Sequence, residues 1–294
     1  MFGFELWFVW AVLGAFVGGL GAFANKIAAQ RKYDTQLVLI VNGLTSLVVF
    51  VPLALYFEGT DVLSLPLLSV GLLAGLVTSS SAFIKIQVLH YIDSAIFLPL
   101  FKVLGPAIVI IFGLFFFGES FTVTEWTGLL VSLSVPLLLV SRVEHTRQNN
   151  LTLGLVLVAV CAVTSAIAAV LQKYATDIQA APLWIVSMIA AGILISASVQ
   201  NAFKYKKDVF KMMRTQYSVG ILHVSIIRTV FAGGGFLLTL LAFVAGGPLG
   251  IVYTINSLYI LLPIILAIIF YGEHWNFRKA LAIGLSVVAL AMLG

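Results

Sequence analysis

The sequence predicts an all-α membrane protein: ten transmembrane helices in two inverted five-helix repeats. Three observations carry that expectation. Of 294 residues, 62% are hydrophobic and only 9% charged, whereas a soluble domain keeps roughly a quarter of its residues charged. The apolar residues fall in ten runs, about 5–24, 35–57, 66–89, 94–117, 124–141, 152–174, 183–203, 219–245, 248–271 and 277–294. Runs of about 18 to 25 residues suit a ~30 Å hydrocarbon layer, and at such lengths only a helix satisfies every backbone polar group. Finally, the two halves of the chain resemble each other.

The fourth and ninth runs show the duplication best. From Ser94 to Glu119 the chain reads SAIFLPLFKVLGPAIVIIFGLFFFGE, and from Pro248 to Glu273 it reads PLGIVYTINSLYILLPIILAIIFYGE. The two terminal Gly-Glu pairs lie 154 positions apart. Earlier, Asn25-Lys26 after the first run is matched by Gln172-Lys173 at the end of the sixth, 147 positions on. In the fifth and tenth runs, Leu-x-Val-Ser-Leu-Ser-Val at 129–135 is echoed by Ile-Gly-Leu-Ser-Val-Val at 283–288. The repeats are therefore residues 1–147 and 148–294, forming one intertwined unit. An odd number of helices per copy places the copies in opposite orientations, an architecture in which secondary transporters hold their substrate at the repeat interface.

Other classes drop out. The longest connection, Phe203 to Ser218, is about sixteen residues, too short for a soluble domain. The single cysteine, Cys161, lies within an apolar run and excludes a disulfide framework. No Walker motif is present, so ATP-driven transport is not expected. The formal charge of +5 reads as an orientation signal rather than a nucleic-acid footprint. The N-terminus carries Glu5 and no basic segment, so the first run is expected to be retained.

The pattern resembles the drug/metabolite transporter superfamily, and within it the EamA-type exporters. The residues that carry the resemblance are the two five-helix units, each with a fourth helix ending in Gly-Glu and a fifth rich in Gly and Ser. The resemblance implies transport of amino acids or nucleotide-like compounds, a site lined by helices 1, 3, 4, 6, 8 and 9, and cytoplasmic termini. The charges say otherwise about orientation. Lys26, Arg31, Lys32, Arg142, Arg147, Lys204, Lys206, Lys207, Lys211, Arg214, Arg278 and Lys279 fall on one side, against only Lys173 on the other. The positive-inside rule then places both termini outside, and this is the orientation adopted.

None of the eleven acids falls near a bilayer midplane, so the buried carboxylate associated with small multidrug members has no counterpart. The intramembrane ionisable groups are cations: Lys85, Lys102 and Arg228. Such groups are costly to bury and default to function. Lys102, flanked by Pro99, Gly105 and Pro106, is the leading candidate, preferred over a snorkelling lysine. Its repeat partner is Asn256, flanked by Tyr253 and Tyr259 and followed by Pro263. Together they suit a carboxylate and a flat or polar body. Arg228, with Ser225, Ala232 and Gly235 on its face, needs a substrate anion, backbone carbonyls or a helix-end acid as partner. Lys85 shares a face with Thr78 and Ser81. Asn25 and Gln172 are further candidates, through Gly18 and Ser165 on their faces.

Glu119 and Glu273 read as helix punctuation, and Thr122-x-x-Glu125 as a capping box. The spacings Gly14-x-x-x-Gly18, Gly71-x-x-x-Gly75 and Gly246-x-x-x-Gly250 read as close helix packing. The histidines His90, His145, His223 and His274 form no metal-ligand pattern, and no cofactor is expected. The function expected is a secondary-active or facilitative exporter of a small anionic or zwitterionic metabolite such as an amino acid, working by alternating access. Its partners are a small-molecule substrate and the lipid bilayer, with no nucleic acid; a monomer is compatible with the sequence. The alternative is an integral membrane enzyme acting on lipids at the interface through Asp93 with His90 or Glu273 with His274; lipid flipping or scaffolding is a third reading. The inner cell membrane is the expected location.

Overall fold

A computed structural model describes residues 5–31, 33, 35–88, 91–92, 94–139, 151–205, 219–258, 261–262, 265–266 and 276–294. Among these residues, ten helices are bounded as follows: α1 (Leu6–Gln30), α2 (Thr35–Phe57), α3 (Leu65–Val88), α4 (Ser94–Phe116), α5 (Val123–Leu138), α6 (Leu151–Ile178), α7 (Pro182–Tyr205), α8 (Val219–Val244), α9 (Leu249–Ser257) and α10 (Phe277–Leu293). No strand occurs among the described residues.

The helices form where the apolar runs predict them, and six of them (α2, α3, α4, α6, α7 and α8) are long and apolar enough to cross a membrane. Two others are shorter: α5 has 16 residues and α10 has 17. At 1.5 Å per residue they rise about 24 to 26 Å, slightly less than the ~30 Å layer. Both start abruptly at side-chain caps. Thr122 Oγ1 accepts from the Glu125 N–H while Glu125 Oε2 accepts from the Thr122 N–H at 2.6 Å, the expected capping box. Asn276 Oδ1 accepts from the Lys279 N–H at 2.9 Å.

One irregularity was not foreseen. α8 is α-helical to Arg228, passes through a π-helical turn at Thr229–Gly233, and resumes from Gly234. A π turn carries an extra residue and shifts the helix face beyond it.

The packing pairs are α3 with α6 and α7, α8 with α1 and α2, α2 with α7, α5 with α10, and α4 with α6 and α9. Small residues set the closest seams, because without a hydrophobic drive between helices in lipid it is close van der Waals packing that holds them. On the α1–α8 seam, a Cβ added to Gly235 would lie 2.4 Å from the Gly18 nitrogen. On the α3–α7 seam, one added to Gly75 would lie 2.4 Å from the Ile189 carbonyl oxygen. The first two glycine pairs therefore pack as expected. Gly246 does not: it has φ 88 in the turn before α9, and only Gly250 lies on a helix. Large apolar side chains such as Val48, Phe115, Leu130 and Phe203 remain on the outside, as lipid-facing residues do.

Two acids tie the ends of the bundle together. Glu58, just after α2, accepts from the Leu183 and Trp184 N–H groups at 2.8 and 3.0 Å, capping α7. Glu119, just after α4, accepts from the Leu249 N–H and from the Gly250 N–H at 3.0 Å, capping α9. Gly118 (φ 62) and Gly59 (φ 69) supply the left-handed turns beside these acids. Glu119 is thus punctuation, but of a helix 130 residues away rather than of the next one. Glu273 lies outside the described residues.

Candidate functional site

The fourth helix is built to interrupt itself. Pro106 has no N–H, so the carbonyl of Lys102 one turn earlier loses its intrahelical donor, and Pro99 does the same to Ala95. Polar backbone is thereby released beside a polar side chain, at membrane depth, where it is tolerated only against protein or a cavity.

A cavity is there. It has a volume of about 120 Å³ and is lined by Lys85 of α3, Phe101, Lys102 and Pro106 of α4, and Tyr253, Asn256 and Ser257 of α9. This is well under the ~300 Å³ or more of a drug-sized site, so its scale suits a small molecule. The structure brings together four of the six candidate residues: Lys85, Lys102, Tyr253 and Asn256. Tyr259 and Pro263 lie outside the described residues.

Each wall is held by its neighbours. Lys85 Nζ sits 4.4 Å from the centroid of the Phe101 ring, a cation–π contact that fixes the ammonium from below. One turn earlier on α3, Ser81 Oγ lies 2.5 Å from Ser165 Oγ of α6 and 3.7 Å from Cys161 Sγ. Opposite, Asn256 Nδ2 donates to Thr239 Oγ1 of α8 and to the Val252 carbonyl, each at 3.1 Å. Ser257 donates to the Thr254 carbonyl at 2.7 Å. Gly105 faces Tyr253, and a Cβ there would stand at ordinary contact distance, 4.0 Å, from the phenol oxygen.

Arg228 is not among the lining residues. It stands at the last α-helical position before the π turn of α8, and its Nε is buried without a hydrogen-bond partner among the described residues. Ser225 Oγ and Asn42 Oδ1 of α2 share that condition. Next to it, Thr229 Oγ1 lies 2.8 Å from Thr45 Oγ1 and 3.2 Å from Ser46 Oγ. Ser165 meets Ser81 across the α3–α6 seam, and the Gly18 backbone meets Gly235 across the α1–α8 seam; the Asn25 side chain lies outside the described residues, as do Asp93, His90 and His274. Phe101, Ser257 and Thr239 were missed as neighbours of the site. Thr239 had a signal, standing 154 positions after Lys85, as Asn256 stands after Lys102.

Among the described residues, no group of three or more His, Cys, Asp or Glu is placed to hold a metal ion. On the Glu119 side, Lys173 pairs with Asp177 at 3.2 Å and reaches the Phe243 carbonyl at 3.5 Å. Burial pushes the Glu119 carboxyl above the ordinary carboxylate range, against the opposing pull of its two N–H donors and of Lys173. The same balance, desolvation over the Leu183 and Trp184 donors, raises Glu58.

A bundle of membrane-length apolar helices around a small polar cavity defines a polytopic membrane protein. Residues 5–141 match the EamA-like transporter family, which supports assigning the chain to the EamA type of the drug/metabolite transporter superfamily. The protein is a multi-pass membrane protein, consistent with a transporter in general. The fold recurs among solved structures. One of 29 matching chains, a crystal structure described only as that of a protein, superposes with a TM-score of 0.72 at 17% identity, over 96% of this chain and 95% of the other. That likeness speaks for the fold alone. No protein in the search of curated proteins matches the sequence.

Proposed function

We propose that the protein is a secondary-active or facilitative exporter of a small anionic or zwitterionic metabolite, such as an amino acid, working by alternating access in the inner cell membrane. The observation that carries this reading is the cavity where Lys85 and Lys102 of residues 1–147 meet Tyr253, Asn256 and Ser257 of residues 148–294. Arg228 is retained as a further cation for the substrate, outside the cavity lining.

The two halves act as inverted five-helix repeats. Exchanging α1 with α6, α2 with α7, α3 with α8, α4 with α9 and α5 with α10 turns the α3–α6 pair into α8–α1, α3–α7 into α8–α2 and α4–α6 into α9–α1, all of which pack. Residue contacts follow the same exchange. Ser81 touches Ser165, and their counterparts Gly235 and Gly18 meet on the α1–α8 seam. These correspondences support a rocking of one half against the other about the α4–α9 seam. The charge bias supports placing the termini outside.

The test is uptake of labelled small metabolites into proteoliposomes, with candidates first chosen by thermal shift, since a ligand of the folded form raises its apparent stability. Lys102→Ala and Arg228→Ala should each lower uptake at least about tenfold, equivalent to about 1.4 kcal/mol of binding. Uptake unchanged in both variants would sink the site.

A further inference from the structure

We infer that the apolar groove between α1 and α10, floored by α9, is a seat for one acyl chain of a bilayer phospholipid. The inference rests on the protein's place in the membrane and is independent of what it carries.

Three helices build the groove. α1 and α10 meet where the Phe8 ring covers Gly294, a position at which an added Cβ would lie 2.6 Å from that ring. Beyond this contact a groove of about 360 Å³ lies between them, about three times the volume of the polar cavity at about 120 Å³. Its walls include Val12, Ala15 and Phe16 of α1 and Ile283, Ser286 and Val287 of α10. Its floor is Ile255 of α9 with Leu258 and Leu261 just beyond, which are 1%, 6% and 9% exposed. The α10 wall runs from Ile283 to Leu290, a rise of about 10 Å, or about a third of the ~30 Å hydrocarbon layer.

The chemistry of the walls decides the class of occupant. Residues 6–24, 249–270 and 280–294, which supply walls and floor, contain no Asp, Glu, Lys, Arg or His. No side chain of these stretches therefore brings a charge to the groove. Ser286 turns its hydroxyl to the Ala282 carbonyl at 2.7 Å, so its polarity is spent within its own helix. A polar solute entering here would give up hydration without return.

Location decides the source. The α1 rim continues into an exposed apolar stripe at Leu6, Val9, Leu13 and Phe16, and the α10 rim into Val287 and Val288. In a multi-pass membrane protein that surface faces hydrocarbon, and a groove opening on it meets acyl chains. Unfilled apolar walls forfeit dispersion contacts, and in lipid close packing is what holds helices together. A tail threaded into the groove therefore stabilises the bundle. A second copy of the protein fits less well, because it would present a helix about 10–12 Å across, too wide for a groove of this volume. The walls belong to residues 1–147 and 148–294, so the tail packs one half against the other.

The experiment places the full chain in nanodiscs of phosphatidylethanolamine that carries a photoreactive diazirine in one acyl chain. Irradiation, proteolysis and mass spectrometry then locate the label. Leu258 and Leu261 on the floor should be labelled as strongly as Val48 and Leu130 on the outside, despite their burial. Ser286→Phe and Ala15→Leu, which fill the groove, should each lower floor labelling about tenfold and leave Val48 and Leu130 unchanged. Variants are compared only where their melting matches wild type; Ala15→Leu covers the case in which Ser286→Phe does not fold, and the wild-type pattern needs no variant. An unlabelled floor beside labelled Val48 and Leu130 overturns the inference. If it comes with a dimer in native mass spectra that Ser286→Phe breaks, the groove belongs to a second copy instead. Floor labelling that survives both filling substitutions also overturns it.

Discussion

At the scale of single residues, Glu58 and Glu119 are the most informative, because each is a long-range tie. Glu119 satisfies two backbone N–H groups at the start of α9 that would otherwise be orphaned at a partly buried helix end. Gly250 makes room for it, since a Cβ there would come to 3.3 Å from Glu119 Oε2 and 3.0 Å from Phe121. Glu119→Ala should therefore cost about 1–3 kcal/mol of apparent stability, the price of leaving buried donors unmet. Glu119→Gln keeps one acceptor and should cost less. The pH dependence has a definite sign. Burial raises the folded-state pKa of Glu119 and of Glu58 above the ordinary value, so the folded chain holds protons that the unfolded chain has released. Their contribution is complete below the ordinary carboxylate pKa and is lost as pH rises through the raised folded values. The melting temperature in detergent should fall across that window in the wild type, and the fall should flatten in the Glu58→Gln, Glu119→Gln double variant. A wild-type profile that rises across the window would contradict the assignment.

At the scale of elements, glycine contacts set how closely α1 and α8 approach. The same glycine-rich seam contains one position that cannot grow and one that can. A Cβ on Gly235 meets the Gly18 nitrogen at 2.4 Å and its Cα at 2.6 Å, both backbone, whereas a Cβ on Gly18 meets nothing within 4 Å. Gly235→Ala should destabilise by about 1–3 kcal/mol through overpacking. Gly18→Ala should be neutral or mildly stabilising, because alanine favours the helix by about 0.5–1 kcal/mol. Thermal unfolding of the two variants side by side checks this; equal melting temperatures would mean the seam adjusts freely. Sequence reading foresaw such packing at Gly14, Gly18, Gly71 and Gly75 because spacing on a helix is local information. It misread Gly246, where the same spacing straddles a turn. It placed Lys102 opposite Asn256 from the 154-position offset between the two Gly-Glu pairs, and Thr239 was legible by that same offset. The π turn at Thr229–Gly233 was not legible from local pattern; its first residue, Thr229, meets Thr45 and Ser46 across the α2–α8 seam. Nor was the partner of Glu119, because local capping rules see only the following helix.

At the scale of the molecule, the two acid caps lie on one side of the bundle and join the halves. Glu58 and Glu119 belong to residues 1–147, and the helix starts they hold, at Leu183 and Leu249, belong to residues 148–294. If the halves rock about α4 and α9, these caps must loosen whenever the cavity opens toward their side. They therefore bias the resting population toward closure there. Each charged cap hydrogen bond is worth about 1.5–3 kcal/mol, and each 1.4 kcal/mol is a factor of ten in population, so losing one acid should shift the balance by at least about tenfold. A reporter inside the cavity reads this shift. With the native Cys161 replaced by serine and Ser257→Cys introduced in the cavity lining, a membrane-impermeant maleimide applied from the Glu119 side should react slowly. Adding Glu119→Ala or Glu58→Ala should accelerate that reaction at least about tenfold, while labelling from the opposite side slows or holds. Acceleration from both sides alike would indicate general loosening of the fold, and no acceleration from the Glu119 side would remove the caps from the gating of this protein.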